Sequence, residues 1–202
     1  RSTGKNAKPA RESKRSDGLK RIDLGGADIN AHEQNNTVTI TSRHAGSDIS
    51  VVVPRSSNLT LKTLDGESTV EGVQGQIEAN SLNGEVTMRS VSGTVIAHSL
   101  NGDVRVTLDR VEAKPMSFST MNGDIDVTLP PDIKARFKMR NDHGDLFSDF
   151  DMTVEAAGPQ VSETGGSRKI RFERTAYANV NGGGPEVSFR TVNGEIRIRK
   201  HK

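Results

Sequence analysis

The chain has 202 residues, with 28 Lys and Arg against 26 Asp and Glu, and therefore a formal net charge of +2. It contains no cysteine, which excludes disulfide bonds and thiolate chemistry. Only 3% of its residues are aromatic and none is tryptophan, which argues against a bulky globular core. The sequence lacks the run of about 18 apolar residues that a spanning helix needs, so we do not expect the chain as given to cross a membrane.

Residues 1–21 form a strongly basic segment with almost no apolar side chains. Such a segment cannot bury enough surface to fold alone, so we predict an arm that is disordered or ordered only by a partner. Two interpretations stay open: a solvated linker behind a removed targeting or anchoring segment, or an electrostatic tether to anionic lipid, polysaccharide or an acidic subunit. The residues of this partner-binding arm are Lys5, Lys8, Arg11, Lys14, Arg15, Lys20 and Arg21.

A nine-residue unit repeats in the first half of the remaining chain, and each unit contains a turn glycine. Self-similarity at a short fixed period is typical of repeat architectures, and glycine adopts positive φ at little cost. Leu-Asn-Gly units alternate with Val-Gln-Gly or Val-Ser-Gly units, which indicates two strands and about eighteen residues per coil. The turn glycines of this array are Gly66, Gly75, Gly84, Gly93 and Gly102.

Apolar residues occur before each turn and, at alternate positions, after it. Alternation with a period of two predicts strands with one inward face. A β-hairpin meander is the rival interpretation of Asn-Gly turns, but a meander does not require the same residue class at the same offset every time. The predicted core residues are Leu82, Val86, Met88, Val91, Val95, Leu100, Val104, Val106, Ile125 and Val127.

The spacing lengthens to 21 residues after Gly102, with further turn glycines at Gly123, Gly144 and Gly194. The segment 155–168 is rich in Gly, Pro, Ser and Thr and predicts an irregular surface loop. We therefore predict an all-β, single-domain β-solenoid, similar to a parallel β-helix, over residues 22–202. Its coils would contain two strands and about eighteen to twenty-one residues each.

Acidic residues often follow the turn glycines and would stack into a ladder in a coiled structure. Calcium is the cation that such a ladder suggests, but the favoured interpretation is solvated charge, and we expect no metal and no cofactor. The acidic residues are Glu67, Glu85, Asp103, Asp124, Asp145 and Glu195.

Catalytic patterns are sparse in this sequence. The five histidines are scattered, without the spacing of a metal-binding pair. A glycosidase-like carboxylate pair stays open among Asp142, Asp145, Asp149 and Asp151, which follow a strand rich in Lys and Arg. We nevertheless expect no catalytic residues and no enzyme activity.

A family resemblance rests on three stretches: the Leu-Asn-Gly-(Asp/Glu)-Val units, residues 106–151 and the ending NVNGGGPEVSFRTVNGEIRIRK. They resemble a bacterial adhesin-like family of β-strand-repeat domains of unknown function. The resemblance covers most of residues 37–200. It implies a β-solenoid in an envelope protein and carries over no catalytic residue.

These observations predict a non-enzymatic, exported β-solenoid that binds another surface in the periplasm, on the outer surface or outside the cell. The expected partners are another protein, including copies of the chain in a homo-oligomer, or a polysaccharide. Nucleic acid is not expected, because the body offers no recognition helix and no aromatic platform. Two alternatives remain, a self-assembling structural subunit that uses the basic arm and a polysaccharide-active β-helix enzyme.

Overall fold

The computed structural model describes residues 29–42, 48–156, 160–164, 167–171 and 175–201. All regular structure in these ranges is β-strand, which confirms the all-β prediction. None of these residues forms a helix long and apolar enough to cross a membrane. The basic arm, from Lys5 to Arg21, lies outside the described residues. The described residues divide into two units, one ending at Val52 and the other beginning at Val53.

The first unit contains a β-hairpin. Strands β1 (Ile29–Gln34) and β2 (Thr37–Ser42) pair antiparallel, with Gln34 opposite Thr37. Asn35 and Asn36 connect them, and both have positive φ, 54° and 58°. Asparagine tolerates this conformation, which matches the twist of a two-residue hairpin turn.

The second unit contains a 13-stranded sheet and a separate hairpin of two strands. The hairpin, β13 (Gln160–Thr164) with β14 (Ser167–Arg171), occupies much of the segment 155–168, where the sequence predicts an irregular loop. Its antiparallel pairing carries no repeat signal and was missed. The strands of the large sheet are β3 (Leu59–Asp65), β4 (Ser68–Glu71), β5 (Gln74–Asn83), β6 (Val86–Asn101), β7 (Val104–Val111), β8 (Met116–Ser119), β9 (Ile125–Leu129), β10 (Ala135–His143), β11 (Leu146–Ser148), β12 (Thr153–Ala156), β15 (Thr175–Val180), β16 (Glu186–Asn193) and β17 (Ile196–Lys200).

Most of this sheet is a stack of six parallel rungs. Each rung has a first arm that ends at a turn and a second arm that begins just after the turn glycine. Like positions pair at 18-residue intervals, as in Ile77 with Val95 and Val86 with Val104, and then at 21, as in Val104 with Ile125. The rungs are β3–β4, β5 with the start of β6, the end of β6 with β7, β8–β9, β16–β17 and β10–β11.

The order of the last two rungs in space reverses their order in the chain. Strand β16 pairs with β8 on one side and with β10 on the other. Strand β17 likewise lies between β9 and β11. The C-terminal rung, β16–β17, therefore lies between the β8–β9 rung and the β10–β11 rung, both of which precede it in the chain. Antiparallel β15 and β12 then extend the sheet beyond β10.

The core is one cluster that runs through the rungs. At its centre Phe189 of the inserted rung stacks on Phe118, with ring centroids 5.5 Å apart, and meets Phe137 edge-on at 5.3 Å. Eight of the residues assigned to the core from sequence are buried, namely Val86, Met88, Val91, Val95, Val104, Val106, Ile125 and Val127.

Leu82 and Leu100 correct that assignment. Leu82 is 42% exposed and Leu100 is half-buried, because both point outward from their first arms. Their inward neighbours are Ser81 and Ser99. The apolar residue before each Asn-Gly turn therefore points outward, whereas Val73 and Val91, which precede the other turn glycines, point inward.

The turn glycines are needed for close approach between rungs as well as for backbone conformation. Gly84 has no positive φ in the left-handed range, yet a Cβ there would collide with the carbonyl group of Gly66 one rung away. Equivalent collisions would occur from Gly123 onto Gly102 and from Gly194 onto Gly123. Only glycine allows the backbones to stack at this corner.

Candidate binding surface

A ladder of side-chain amides follows the corner where each first arm ends. The Nδ2 group of each asparagine donates to the Oδ1 atom of the residue in the rung before it, at distances of 2.7–2.9 Å. The sequence shows these residues only as turn dipeptides, and the structure gives them a second role in holding register. The asparagine ladder is Asp65, Asn83, Asn101, Asn122 and Asn193.

Inward hydroxyl groups reinforce the same corner. Ser99 donates to the carbonyl of Gly84, and Thr120 donates to that of Gly102, at 2.9 and 2.8 Å. Because buried polar groups are costly unless they are hydrogen-bonded, these contacts explain how Ser99 and Thr120 can occupy inward positions.

Two of the acidic residues after the turn glycines, Asp103 and Asp124, accept backbone hydrogen bonds from the next rung. Asp103 accepts from the N–H group of Asp124 at 2.8 Å, and Asp124 accepts from that of Glu195 at 2.9 Å. Asp124 also accepts from Arg197, and the backbone bond followed by this arginine lowers the pKa of its carboxyl group. Among the described residues no group of three or more His, Cys, Asp or Glu side chains could hold a metal ion. The carboxylates of Asp103 and Asp124 each connect one rung to the next.

The outward face of the second arms is charged, and several of its arginines pair with carboxylates on the same face. Arg105 contacts Glu85 and Asp103, and Arg199 makes two hydrogen bonds to Asp126 at 2.8 and 2.9 Å. The Arg105 guanidinium holds the pKa of the Glu85 carboxyl below its usual value, with help from the Thr87 hydroxyl. Arg105, Arg197 and Arg199 therefore already have carboxylate partners.

The outward side chains of the first arms form what we call the laddered face. It contains three rows that run across the rungs, and adjacent strands bring neighbours in a row to about 4.8 Å. The apolar row is Leu64, Leu82, Leu100, Met121 and Val192. The polar row is Lys62, Asn80, His98, Ser119, Arg190 and Arg140, and the third row is Thr60, Glu78, Ile96, Ser117, Ser188 and Lys138.

The apolar row is unusual for an outer surface. Leu64, in strand β3, is 73% exposed, and Met121, just after the end of β8, is 47% exposed. Beside this row, the ring Nδ1 of His98 lies 2.5 Å from the Ser119 hydroxyl. Burial lowers the pKa of His98, against the opposing effect of the Glu78 carboxylate. The middle of the polar row is therefore an uncharged set of hydrogen-bonding groups near neutral pH.

One end of the laddered face is basic. Arg140 and Arg190 lie directly opposite each other on neighbouring parallel strands, with Arg136 and Lys138 on the same face of β10. The Arg136 guanidinium lies over the Tyr177 ring at 4.8 Å from its centroid. The sequence shows the charges of β10, but it gives no sign that Arg190, fifty residues later, joins them.

Three of the four carboxylates considered for glycoside hydrolysis have partners within the fold. Asp142 accepts from Arg140 at 3.2 Å, while Asp149 and Asp151 both contact Lys200. A groove of about 140 Å³ lies near Asp149 and is lined by the exposed Phe147. In this structure Asp149 and Asp151 therefore contact the end of β17, and Asp142 contacts Arg140 within β10.

A family model described as Toastrack DUF4097 matches residues 19–199, which include nearly all of the six rungs. This match supports the expectation of a β-strand-repeat domain of unknown function and does not bear on adhesion. Comparisons with curated proteins and with solved structures found no match.

Proposed function

This chain belongs to the Toastrack DUF4097 family, and from that premise we propose that it is a non-enzymatic binding module of an exported protein. In this proposal the six rungs are coils of a β-solenoid, supported by the 18- and 21-residue registers. Its adhesin-like role is to hold another component of the cell envelope or cell surface on the laddered face.

The observation that carries the proposal is the exposed apolar row beside a polar row on the same strands. Exposed apolar side chains scattered singly need no explanation, but an aligned set rimmed by polar groups is typical of interaction surfaces. Leu64, Leu82 and Met121 are all well exposed, whereas the inward positions just before Leu82 and Met121 are occupied by the polar residues Ser81 and Thr120. Open faces with regular spacing suit an extended or repeating partner better than a small substrate.

A matched pair of variants tests this assignment. Ser117→Glu places a charge in the third row of the laddered face, whereas Thr128→Glu places one among the outward side chains of the second arms. The full chain and both variants are applied to a panel of envelope polysaccharides and envelope proteins. We expect the chain to bind at least one component, Ser117→Glu to lose that binding and Thr128→Glu to retain it.

Two results would overturn the proposal. Equal binding by both variants would remove the laddered face from the interaction, and binding to nothing in the panel would remove the function itself. Cleavage products from any polysaccharide would favour the polysaccharide-active enzyme instead.

The inserted C-terminal rung favours a second candidate, a self-assembling structural subunit. Strand β16 follows β15 through a turn that contains Gly182 and Gly183, both with positive φ. Short hinges that connect an insertable element can allow exchange of that element between copies. The mass of the native assembly at moderate ionic strength tests this: a monomer excludes rung exchange, and an oligomer that persists in high salt supports it.

A further inference from the structure

At the basic end of the laddered face the described cations outnumber the carboxylates that pair with them. Arg140 and Arg190 are register partners on adjacent strands, and like charges directly opposite each other destabilise a sheet. Such an arrangement is retained at a cost unless a ligand neutralises it. We name Arg136, Lys138, Arg140 and Arg190 the basic corner.

The partners of the basic corner leave it with excess positive charge. Lys138 lies 3.7 Å from Glu186, and Arg140 lies 3.2 Å from Asp142. Arg190 is exposed, and within the described ranges no carboxylate lies close enough to form an ion pair with it. Among the described residues these four cations contact two carboxylates, which gives an excess of two positive charges.

Three arginines of the second arms show a different arrangement. There Arg197 contacts both Asp124 and Glu195, and Arg199 is held by both oxygens of Asp126. Carboxylates thus lie beside Arg105, Arg197 and Arg199, whereas Arg190 has another arginine, Arg140, as its register partner and forms no ion pair among the described residues. This contrast indicates a site for an external anion.

The shape of the surrounding surface restricts the anion. The polar row continues from Arg190 through Ser119, His98 and Asn80 to Lys62, so hydrogen-bonding groups extend across the neighbouring rungs. A linear polymer can follow such a row, whereas a single small anion would use only its end. Planar guanidinium groups bind carboxylates through paired hydrogen bonds.

Nucleic acid fits this face less well. Single-stranded nucleic acid needs aromatic side chains on which its bases stack. On the described part of the laddered face the aromatic group beside the basic corner is Tyr177, and its ring is already covered by Arg136. The hydroxyl, amide and imidazole groups of the row suit the hydroxyl groups of a sugar chain.

We propose that the basic corner binds the carboxylate groups of a linear acidic polysaccharide, whose sugar units continue along the polar row. This inference rests on the proposed function, because it names the ligand of the same laddered face. Arg140 and Arg190 bind one carboxylate between them, and Lys138 and Arg136, further along β10, add positive charge beside it.

The test compares polygalacturonate with its fully methyl-esterified form, which has the same sugar chain without the charges. The full chain is measured with both probes, with a single-stranded oligonucleotide and with vesicles that contain an anionic lipid. We expect binding to polygalacturonate that weakens with added salt, and at least about tenfold weaker binding to the ester and to the other two probes.

A charge-matched pair of double variants locates the site. Arg140→Ala with Arg190→Ala removes the opposed arginines, and Arg89→Ala with Arg110→Ala removes two exposed arginines that form no ion pair among the described residues. We expect the first pair to weaken polygalacturonate binding at least about tenfold and the second to change it less than about twofold. Arg190→Lys should retain part of the affinity, and thermal unfolding verifies that each variant is folded.

Each contrary outcome has a distinct meaning. Equal affinity for the ester, equal losses from both double variants, or tighter binding to the oligonucleotide or vesicles would overturn the basic corner as a polysaccharide site. If the ester binds equally and Ser117→Glu abolishes that binding, the proposed function stands while this inference fails. If neither polymer nor any envelope component binds, both fail together.

Discussion

The side-chain amide of Asn193 donates to the Oδ1 atom of Asn122 at 2.8 Å, although 71 residues separate them in the chain. This bond joins the inserted rung to the rung of β8 and β9. The same contact is made between rungs that follow each other directly, as between Asn101 and Asn83. The C-terminal rung therefore joins the asparagine ladder through the same contact that connects consecutive rungs.

Replacing Asn122 with aspartate should weaken the stack. A carboxylate at this position cannot donate to Asn101 and is repelled by its Oδ1 atom, although it still accepts from Asn193. We expect Asn122→Asp to cost about 1 kcal/mol of unfolding free energy in a urea titration. Asn30→Asp makes the same chemical change on an exposed strand of the first unit, and equal midpoints for the two variants would contradict the ladder's role.

Alanine should be tolerated much less well at Gly84 than at Gly72. A Cβ at Gly84 would collide with the backbone of Gly66, whereas Gly72 has φ 68° with open space around its Cα. We expect Gly84→Ala to cost roughly 3 kcal/mol and Gly72→Ala roughly 1 kcal/mol. Asparagine, which tolerates positive φ, should cost less than alanine at Gly72 but not at Gly84. Thermal unfolding measures all four variants. If asparagine also cost less than alanine at Gly84, backbone conformation rather than the collision would determine the cost there.

Truncation of Phe189 should damage the protein more than truncation of any exposed aromatic residue. Phe189 is fully buried and contacts rings on both neighbouring rungs, Phe118 and Phe137. We expect Phe189→Ala to cost about 3–5 kcal/mol, and Phe147→Ala, at a half-exposed position, about 0.5 kcal/mol. Chemical denaturation distinguishes them, and similar costs would mean that the inserted rung is not part of the cooperative core.

Acid should weaken the contact between Asp124 and the inserted rung. The backbone of Glu195 and the guanidinium of Arg197 lower the pKa of Asp124 in the folded protein. The stabilisation is therefore fully present above the unfolded carboxyl pKa of about 4 and is lost as the pH falls through the lower folded value. We expect Asp124→Asn to reduce stability at pH 7 and to flatten its decline in acid.

Unfolding free energies measured between pH 7 and pH 2 test the acid prediction. Asp132→Asn is the charge control, because Asp132 is exposed and makes no side-chain hydrogen bond or ion pair with the described residues. If the curves for the wild type and Asp124→Asn ran parallel, the carboxylate of Asp124 would not contribute to acid sensitivity.

Much of the stack could be predicted from local sequence. The nine-residue period defines the arms from β3 to β7, and alternation within them identifies buried residues such as Val95 and Val104. Leu82 was misplaced because apolar character alone does not show on which side of a strand a residue lies. The chain changes direction at each corner, so the inward position before Asn83 is occupied by Ser81.

The order of rungs in space could not be predicted in the same way. Gly144 and Gly194 both lie in units that match the repeat, and nothing local distinguishes a rung that follows its predecessor from one that inserts. The decision depends on contacts between distant segments, such as Phe189 with Phe118. For the same reason the sequence did not bring Arg190 next to Arg140, and the basic corner was missed.

The position of the inserted rung determines when the 13-stranded sheet can be completed. Synthesis proceeds from the N-terminus, so β10 and β11 are made before the strands that join them to β8 and β9. Until residues 186–200 have been made, the edges of two rungs remain open and the core around Phe118 lacks one wall. Closure is therefore a late event, and a nascent chain exposes these two edges to chaperones and to other copies of itself.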